Sequence, residues 1–334
     1  MSEALTSVAV PATRSCFCGE SRARVHFRTA RFGLVSCPSC GCYRIDPPPI
    51  HGESEAGDFY SAYYAGLLGE DAEGGIRAEG AEGANGGNSA NGASGAPARQ
   101  AADAAPATRT SRFWRVVEQV PSLLEPGSSA ADIGCGEGRL CAELHAAGWK
   151  EVIGVDASRA RIVRARRLHP GITFHDRPVE EVTIPAGSLD LVVLDNVIEH
   201  IVDPLDAVRH LRALLAPAGR LVLITPNMES GHFRLLGRRW TPELAPHTHI
   251  FLFTHAAMRR MLSAAGYIVE TQGDFHLPLY SAGEWMRRAL GGDVKGAVWR
   301  GMQEMGGIYG RLIGAGPMLF AVARPAPADP GVTR

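Results

Sequence analysis

Short apolar runs alternate with segments of helical spacing through the central and C-terminal parts of the chain. The runs predict seven strands, at residues 130–134, 151–156, 172–175, 189–195, 220–226, 267–275 and 318–324. Strands that alternate with helices are typical of a mostly parallel sheet covered on both faces. We expect the last two strands to pair antiparallel at one edge of this sheet.

The same pattern divides the chain into a small and a large unit. Residues 14–49 carry paired cysteines and predict a small module, and an aromatic stretch within 50–65 predicts a docking segment. Residues 66–110 are rich in Gly, Ala, Asn and Ser without apolar periodicity, which predicts a flexible linker. The large domain covers 111–325. Its segment 279–314 predicts helices that pack on the domain, cap a ligand pocket or lie on a membrane surface.

Composition places the chain in the ordinary globular range. Of 334 residues, 45% are hydrophobic and 21% are charged, and the net charge is -1. This charge gives no overall field that attracts nucleic acid. No signal peptide and no apolar run long enough to span a membrane is recognised, so we expect a cytoplasmic protein. The sequence gives no indication of the oligomeric state.

Five of the seven cysteines fall within residues 16–42. Clustered thiols in a reducing compartment favour a metal over disulfides. Paired thiolates on two turns can close a tetrahedral zinc site and stabilise a small domain with little core. The predicted ligands are Cys16, Cys18, Cys37 and Cys40. Because the first pair is C-x-C rather than C-x-x-C, Cys42 or His26 are alternative ligands, and a degenerate module without metal is a further alternative.

The first predicted strand ends in a glycine-rich turn. Glycine lets the backbone turn sharply and lets a ligand approach the peptide groups. Dinucleotide-binding turns read G-x-G-x-x-G, but here the glycines are Gly134, Gly136 and Gly138, and Arg139 stands where the third is required. Asp132 would repel a pyrophosphate but can accept a hydrogen bond from an ammonium group. A glycine turn that binds no ligand is the alternative.

Further polar residues follow the next strands. Asp156 lies at the distance from the glycine turn at which an acidic side chain reaches a nucleoside ribose, although it is also placed to cap a helix. The fourth predicted strand ends in a polar pair and is followed by Ile198-Glu199-His200 and Asp203-Pro204. The fifth ends in Thr225-Pro226-Asn227.

These motifs, in this order, resemble those of class I S-adenosylmethionine (SAM) methyltransferases. The segment 239–267 and the cysteine-rich N-terminal module resemble those of the group that acts on small molecules and natural-product intermediates. The resemblance implies a Rossmann-like, doubly wound α/β fold with seven strands. It also implies transfer of a methyl group from SAM to a small-molecule acceptor such as a sugar or a quinone precursor, with S-adenosylhomocysteine as the product.

The resemblance also implies roles for particular residues. Asp132 holds the amino group of the methionine part, the loop backbone its carboxylate and Asp156 the ribose. Residues after the third strand contact the adenine, and Asp195-Asn196 flank the sulfonium. The expected cofactor-binding residues are Asp132, Gly134, Cys135, Gly136, Gly138, Asp156, Ala157, Asp176, Val179, Asp195 and Asn196.

Histidines beyond the ends of strands four and five are candidates for removing a proton from the acceptor. Histidine suits this task because its pKa lies near neutrality. The candidates are His200, His247 and His249, each of which also has a purely structural interpretation. A metal site at His247 and His249 is not expected, because no nearby carboxylate is evident to complete it.

Two alternatives of other classes stay open. One is an RNA methyltransferase whose cysteine-rich module binds RNA through its arginines, although the chain lacks a base-stacking N-P-P-Y type motif after strand four. The other is a SAM-fold binding or scaffold protein without turnover.

Overall fold

The structure is a computed structural model. It describes residues 7–9, 15–29, 32–46, 48, 109–125, 127–240, 244–245, 248–277 and 294–327. The predicted docking segment 50–65, almost all of the predicted linker 66–110 and His247 lie outside the described residues.

A seven-stranded sheet forms the centre of the large unit. Its strand order is β11-β12-β9-β8-β5-β6-β7, and all neighbours from β9 to β7 run parallel. β12 runs antiparallel to both β9 and β11. The predicted Rossmann-like fold and its antiparallel final pair are therefore confirmed. The strands are β5 (Ser129–Ile133), β6 (Glu151–Val155), β7 (Thr173–His175), β8 (Leu189–Asp195), β9 (Leu215–Pro226), β11 (Tyr267–Phe275) and β12 (Met318–Pro325).

The central strands are apolar on both faces because two separate cores cover the sheet. Successive side chains of a strand point to opposite faces. Thus Ala130 and Leu191 contribute to one buried cluster, whereas Ala131, Ile133 and Val192 contribute to the other. This two-sided burial explains why the strands appear in the sequence as nearly continuous apolar runs.

Helices cover the two faces and connect the strands. The helix over Pro204–Leu214 begins with Asp203 as N-cap. The Asp203 side chain accepts from the Asp206 amide at 3.1 Å, and Pro204 occupies the first turn. Both features are typical of helix starts. The helices are α1 (Phe113–Gln119), α2 (Arg139–Ala146), α3 (Arg159–Leu168), α4 (Pro204–Leu214), α5 (Gly231–Leu236), α6 (His255–Ala264) and α7 (Val294–Ile313).

Two element boundaries differ from the sequence pattern by more than one residue. Apolar residues recur at helical spacing from Phe113 to Leu124, but they do not form one helix. Pro121 cannot donate a backbone hydrogen bond, so α1 ends before it and a short 3-10 helix follows. β9 begins five residues earlier than expected, at Leu215. An irregularity in its pairing with β8 absorbs the Ala-Pro-Ala-Gly stretch.

A second, smaller sheet contains the N-terminal module. Its order is β1-β2-β3-β4-β10, with β1 (Ser7–Ala9), β2 (Arg22–Arg28), β3 (Gly33–Ser36), β4 (Tyr43–Asp46) and β10 (Phe251–Leu252). β10 comes from the large unit and pairs antiparallel with β4. The module is therefore joined to the large unit by backbone pairing.

Within the part of the chain that the structure describes, none of the helices combines the length and hydrophobicity required to cross a bilayer.

Candidate active site

The glycine loop lies at the carboxyl edge of the sheet, between β5 and α2. The amides of Gly134 and Cys135 both donate to the carbonyl oxygen of Val155, at 2.6 and 2.9 Å. These bonds attach the loop to the end of the neighbouring strand β6. Gly134, Gly136 and Gly138 all have positive φ, a conformation that favours glycine.

The glycines do not all serve the purpose expected from the sequence. A side chain at Gly134 would collide with Val197, and one at Gly138 would lie 2.7 Å from the Phe174 ring. These two positions therefore need glycine for packing within the protein. At Gly136 the nearest atom is Arg161 Nη1 at 3.6 Å, so of the three only this position leaves room for a ligand to approach the backbone.

Asp156 follows β6 directly and orders the loop. Its carboxylate accepts from the Gly136 amide at 2.9 Å and from the Ser158 amide at 2.7 Å. The second bond stabilises the turn into α3, for which Ser158 is the N-cap. Asp156 thus connects the glycine loop to the end of β6, and its side chain is only partly buried.

Asp132 is buried within β5, with 4% of its surface exposed. Burial, and then the carboxylates of Asp195 and Asp156, raise its pKa to about 8. The Cys141 thiol donates to it at 3.7 Å. A cation near this cluster of carboxylates would be stabilised, whereas a phosphate would be repelled.

Asp195 ends β8 and pairs with Arg112, whose Nε donates to Oδ1 at 2.8 Å. Burial nevertheless raises the pKa of Asp195, while the guanidinium acts in the opposite direction. Its neighbour Asn196 has a φ of 57°, and its buried side-chain oxygen accepts no hydrogen bond from the described residues. A backbone in the left-handed region at the end of a central strand is typical of a functional site.

Arg112 reaches the site because the start of α1 is anchored to α2. The Thr110 amide and hydroxyl donate to Glu143 at 2.9 Å, and the Trp114 indole donates to the same carboxylate at 2.6 Å. The sequence interpretation missed Arg112. A lone arginine before a helix carries no signal, and it lies 83 residues from its partner in the chain.

The residues expected near the adenine are not brought into one cluster. Ala157 is exposed, and Asp176 lies 3.4 Å from Arg166 Nη2 at the surface. Val179 is 7% exposed and packs in the core with Val182 and Ile184, which favours the structural interpretation of this residue.

The histidine candidates His200 and His249 are adjacent, with ring centroids 4.7 Å apart. His200 Nδ1 lies 3.0 Å from the carbonyl oxygen of Thr248. A carbonyl only accepts, so Nδ1 carries the hydrogen in this contact and Nε2 keeps a lone pair. Beside them lies Glu199, which is completely buried and accepts from the Thr225 hydroxyl at 2.9 Å.

Glu199 corrects the expectation that no carboxylate lies near these histidines. Its Oε1 is 4.0 Å from His249 Nε2 and accepts no hydrogen bond from the described residues. Burial raises the pKa of Glu199 to about 8. The sequence signal was present in the Ile-Glu-His motif, where a charged residue follows two apolar residues, but its burial depends on packing against β9.

In the N-terminal module, the four predicted zinc ligands come together. Their sulfur atoms all lie within 4.8 Å of one another, and both the Cys16–Cys40 and Cys18–Cys37 pairs are 3.5 Å apart. Tetrahedral ligands about 2.3 Å from zinc are about 3.8 Å apart, so this arrangement fits the metal. The alternative ligands have other partners, because Cys42 contacts the Leu252 carbonyl and His26 contacts Ser36.

The fold and the acidic glycine-loop site together define a SAM-methyltransferase-like α/β protein. A family profile described as a methyltransferase domain matches residues 104–272, half of the chain, and the chain belongs to this family. The ubiquinone biosynthesis O-methyltransferase of Bradyrhizobium diazoefficiens is 31% identical over 169 residues, which are 48% of this chain and 65% of the relative. A probable S-adenosylmethionine-dependent methyltransferase of Mycolicibacterium smegmatis is 32% identical over 151 residues, 45% of this chain and 56% of the relative.

The chain spans between about one third and two thirds of the length of the curated relatives it matches. Among solved structures, the [4+2]-cyclase SpnF has a TM-score of 0.51 and 17% identity, and the match covers 84% of this chain and 98% of SpnF. At this identity the likeness supports the fold alone.

Proposed function

We propose that the chain is a SAM-dependent methyltransferase that acts on a small-molecule acceptor. The observation that carries this proposal is the convergence of Asp132, Asp156 and Asp195 beside the glycine loop. This acidic surface suits a ligand with a sulfonium, an ammonium and a ribose, and does not suit a pyrophosphate. Family membership supports the same conclusion.

Each side of the cofactor has a proposed partner. Asp132 faces the ammonium, the open backbone at Gly136 and the nearby Arg112 suit the carboxylate, and Asp156 accepts from the ribose hydroxyls. Asp195 and Asn196 flank the sulfonium, and the adenine lies on the side of Asp176. When bound, SAM supplies an activated methyl group. The protein must then align the acceptor and exclude water.

The acceptor side is formed by His200 and His249. During transfer the acceptor atom forms a bond to the methyl carbon, the carbon–sulfur bond breaks and its electron pair stays on sulfur. A proton leaves the acceptor, and His200 Nε2, which carries no hydrogen in this tautomer, can take it. The relatives named ubiquinone biosynthesis O-methyltransferases support an acceptor with a hydroxyl group.

The last long helix supports a cap on this side. α5 follows the carboxyl end of β9, and α7 packs on α5 so closely that a side chain at Gly231 would collide with Gly310. Met305, Ile308 and Leu312 of α7 remain more than half exposed. We infer that α7 belongs to a wall that covers an apolar acceptor.

The N-terminal module completes the proposed organisation. Cys16, Cys18, Cys37 and Cys40 hold a structural zinc ion, supported by the distances between their sulfur atoms. Clustered cysteines that can hold a metal are typical of a reducing compartment, which supports a cytoplasmic location.

Calorimetry with SAM and S-adenosylhomocysteine tests the proposal. We expect micromolar binding by the wild type and a loss of about tenfold or more, about 1.4 kcal/mol, in Asp156→Ala. Asp206→Asn, which changes an exposed carboxylate on α4, is the control and keeps wild-type affinity. Absence of binding by the folded wild type would refute the enzyme interpretation and favour the scaffold alternative.

A further inference from the structure

We propose that Glu199, His200 and His249 form a second metal site, which binds a divalent transition-metal ion such as zinc at the acceptor side. Each residue offers one ligand atom, and these atoms lie within 4.8 Å of one another. The site is separate from the four cysteines, and none of its residues belongs to the proposed SAM pocket.

The surroundings of two of the three side chains, His200 and Glu199, are those of metal ligands. A metal-bound histidine almost always donates its other ring nitrogen to an oxygen atom, which fixes the ring. His200 does this through Nδ1, which contacts the Thr248 carbonyl at 3.0 Å. Glu199 is oriented in the same way, because Oε2 accepts from the Thr225 hydroxyl at 2.9 Å and leaves Oε1 for another ligand.

Burial gives an independent argument. Glu199 is completely buried, and its Oε1 accepts no hydrogen bond from any residue that the structure describes. A buried polar oxygen without a partner is costly. His249 Nε2 lies 4.0 Å from this oxygen. A bound cation would give this oxygen a partner.

The geometry requires little movement. Two ligands about 2.0–2.1 Å from a tetrahedral zinc ion are about 3.3 Å apart. Glu199 Oε1 and His249 Nε2, at 4.0 Å, must therefore approach by less than about 1 Å. One carboxylate and two imidazoles suit zinc, iron, nickel or manganese better than magnesium or calcium.

Three protein ligands leave coordination positions open, which is typical of catalytic metal sites. The role of the metal rests on the proposed function: an acceptor hydroxyl bound to the ion loses its proton to solvent more readily, and its oxygen is held toward the methyl donor. This assigns the acceptor to compounds with an ionisable, metal-binding hydroxyl, such as a phenol or an enol. With the ion bound, His200 is a ligand and no longer acts as the base.

Zinc counting on the full chain tests the site. The protein is dialysed against buffered free zinc, and zinc per chain is measured for the wild type, Glu199→Gln and His232→Gln. His232 is a buried histidine on α5 and serves as the matched control. We expect Glu199→Gln to bind one zinc ion fewer than the wild type, and His232→Gln to bind the wild-type number.

The difference of one equivalent does not depend on whether the four cysteines bind zinc. Equal zinc in Glu199→Gln and wild type overturns the proposal. If Glu199→Gln does not fold, His200→Gln replaces it, because His200 is partly exposed. SAM binding is measured on the same samples. If the wild type and Glu199→Gln contain equal zinc while SAM still binds, only this metal site is refuted. If the wild type contains one zinc ion more than Glu199→Gln but does not bind SAM, only the proposed function is refuted.

Discussion

At the scale of single residues, the most informative group is Asp132. Its carboxyl is protonated in the free protein below about pH 8, because burial and the neighbouring Asp195, Asp156 and Glu143 all raise its pKa. If Asp132 pairs with the cofactor's ammonium, that proton must leave when SAM binds. Affinity for SAM should therefore depend on pH.

We predict that SAM affinity rises about tenfold between pH 6 and 7 and by a smaller factor between pH 7 and 8, where Asp132 reaches its own pKa. Above this range the rise ends, because the ligand's own amino group loses its proton near pH 8. Calorimetry across this range checks the prediction. In Asp132→Asn the affinity should be lower and nearly constant with pH. A wild-type affinity that does not change between pH 6 and 8 would show that Asp132 stays protonated beside the ligand.

Residue-scale interpretation from sequence was possible where a motif fixed the position, and the binding roles of these residues stay predictions. Asp132 lies near the end of β5 and Asp156 directly follows β6, so both lie at the carboxyl edge of the sheet. Arg112 and Glu199 could not be assigned in this way. The position of Arg112 depends on the anchoring of α1 by Glu143, and the importance of Glu199 depends on its burial. Both are results of tertiary packing.

At the scale of elements, the contact between β4 and β10 determines how the cysteine module is attached to the large unit. The Ile45 amide donates to the Ile250 carbonyl at 3.3 Å, and the Ile250 amide donates to the backbone carbonyl of Glu199 at 2.8 Å. Phe17, within the cysteine-rich turn, packs against Phe251 with ring centroids 5.9 Å apart. The cysteine module therefore supports the segment that carries His249.

We predict that Cys40→Ser loses zinc and loosens this segment. Hydrogen exchange at the amides of Ile250 and Leu252 should become at least about tenfold faster, because the support from β4 is lost. SAM affinity should stay within about twofold, since the glycine loop lies on other strands. Cys42→Ser is the matched control, because this buried cysteine of the same module is outside the four-cysteine group; it should retain zinc. Unchanged exchange in a zinc-free Cys40→Ser protein would contradict the prediction.

Long apolar runs predicted elements well, whereas short or irregular ones were not predictable. β8 and β11 have the predicted bounds, because seven and nine residues of consistent pattern outweigh local irregularities. β10 has only two residues, and its partner lies in another part of the chain. Such a strand exists because of tertiary pairing and leaves no periodicity in the sequence.

At the scale of the whole molecule, charge distinguishes small-molecule from RNA substrates. The net charge is -1. In the cysteine module, Arg22 pairs with Glu20 at 3.0 Å and Arg28 with Asp46 at 3.1 Å. The basic surface that would bind RNA is thus partly neutralised.

We predict that the protein is not retained on immobilised RNA at about 0.15 M salt. Binding to phosphates weakens steeply with salt when several cations are involved. Retention measured from low to high salt checks this. Firm retention that falls with salt, and that is lost in Arg24→Ala, would instead favour the RNA methyltransferase alternative.

The pairing of β4 with β10 also has a consequence for the order of synthesis. β4 ends at Asp46, whereas its partner strand ends at Leu252, about 200 residues later. At about 5–20 residues per second, the ribosome needs roughly 10–40 s to make the chain between them. During that interval the edge of β4 is without its final neighbour, and unpaired strand edges are where chains aggregate. Each nascent chain thus passes through a stage in which the N-terminal sheet lacks β10, because that strand has not yet been translated.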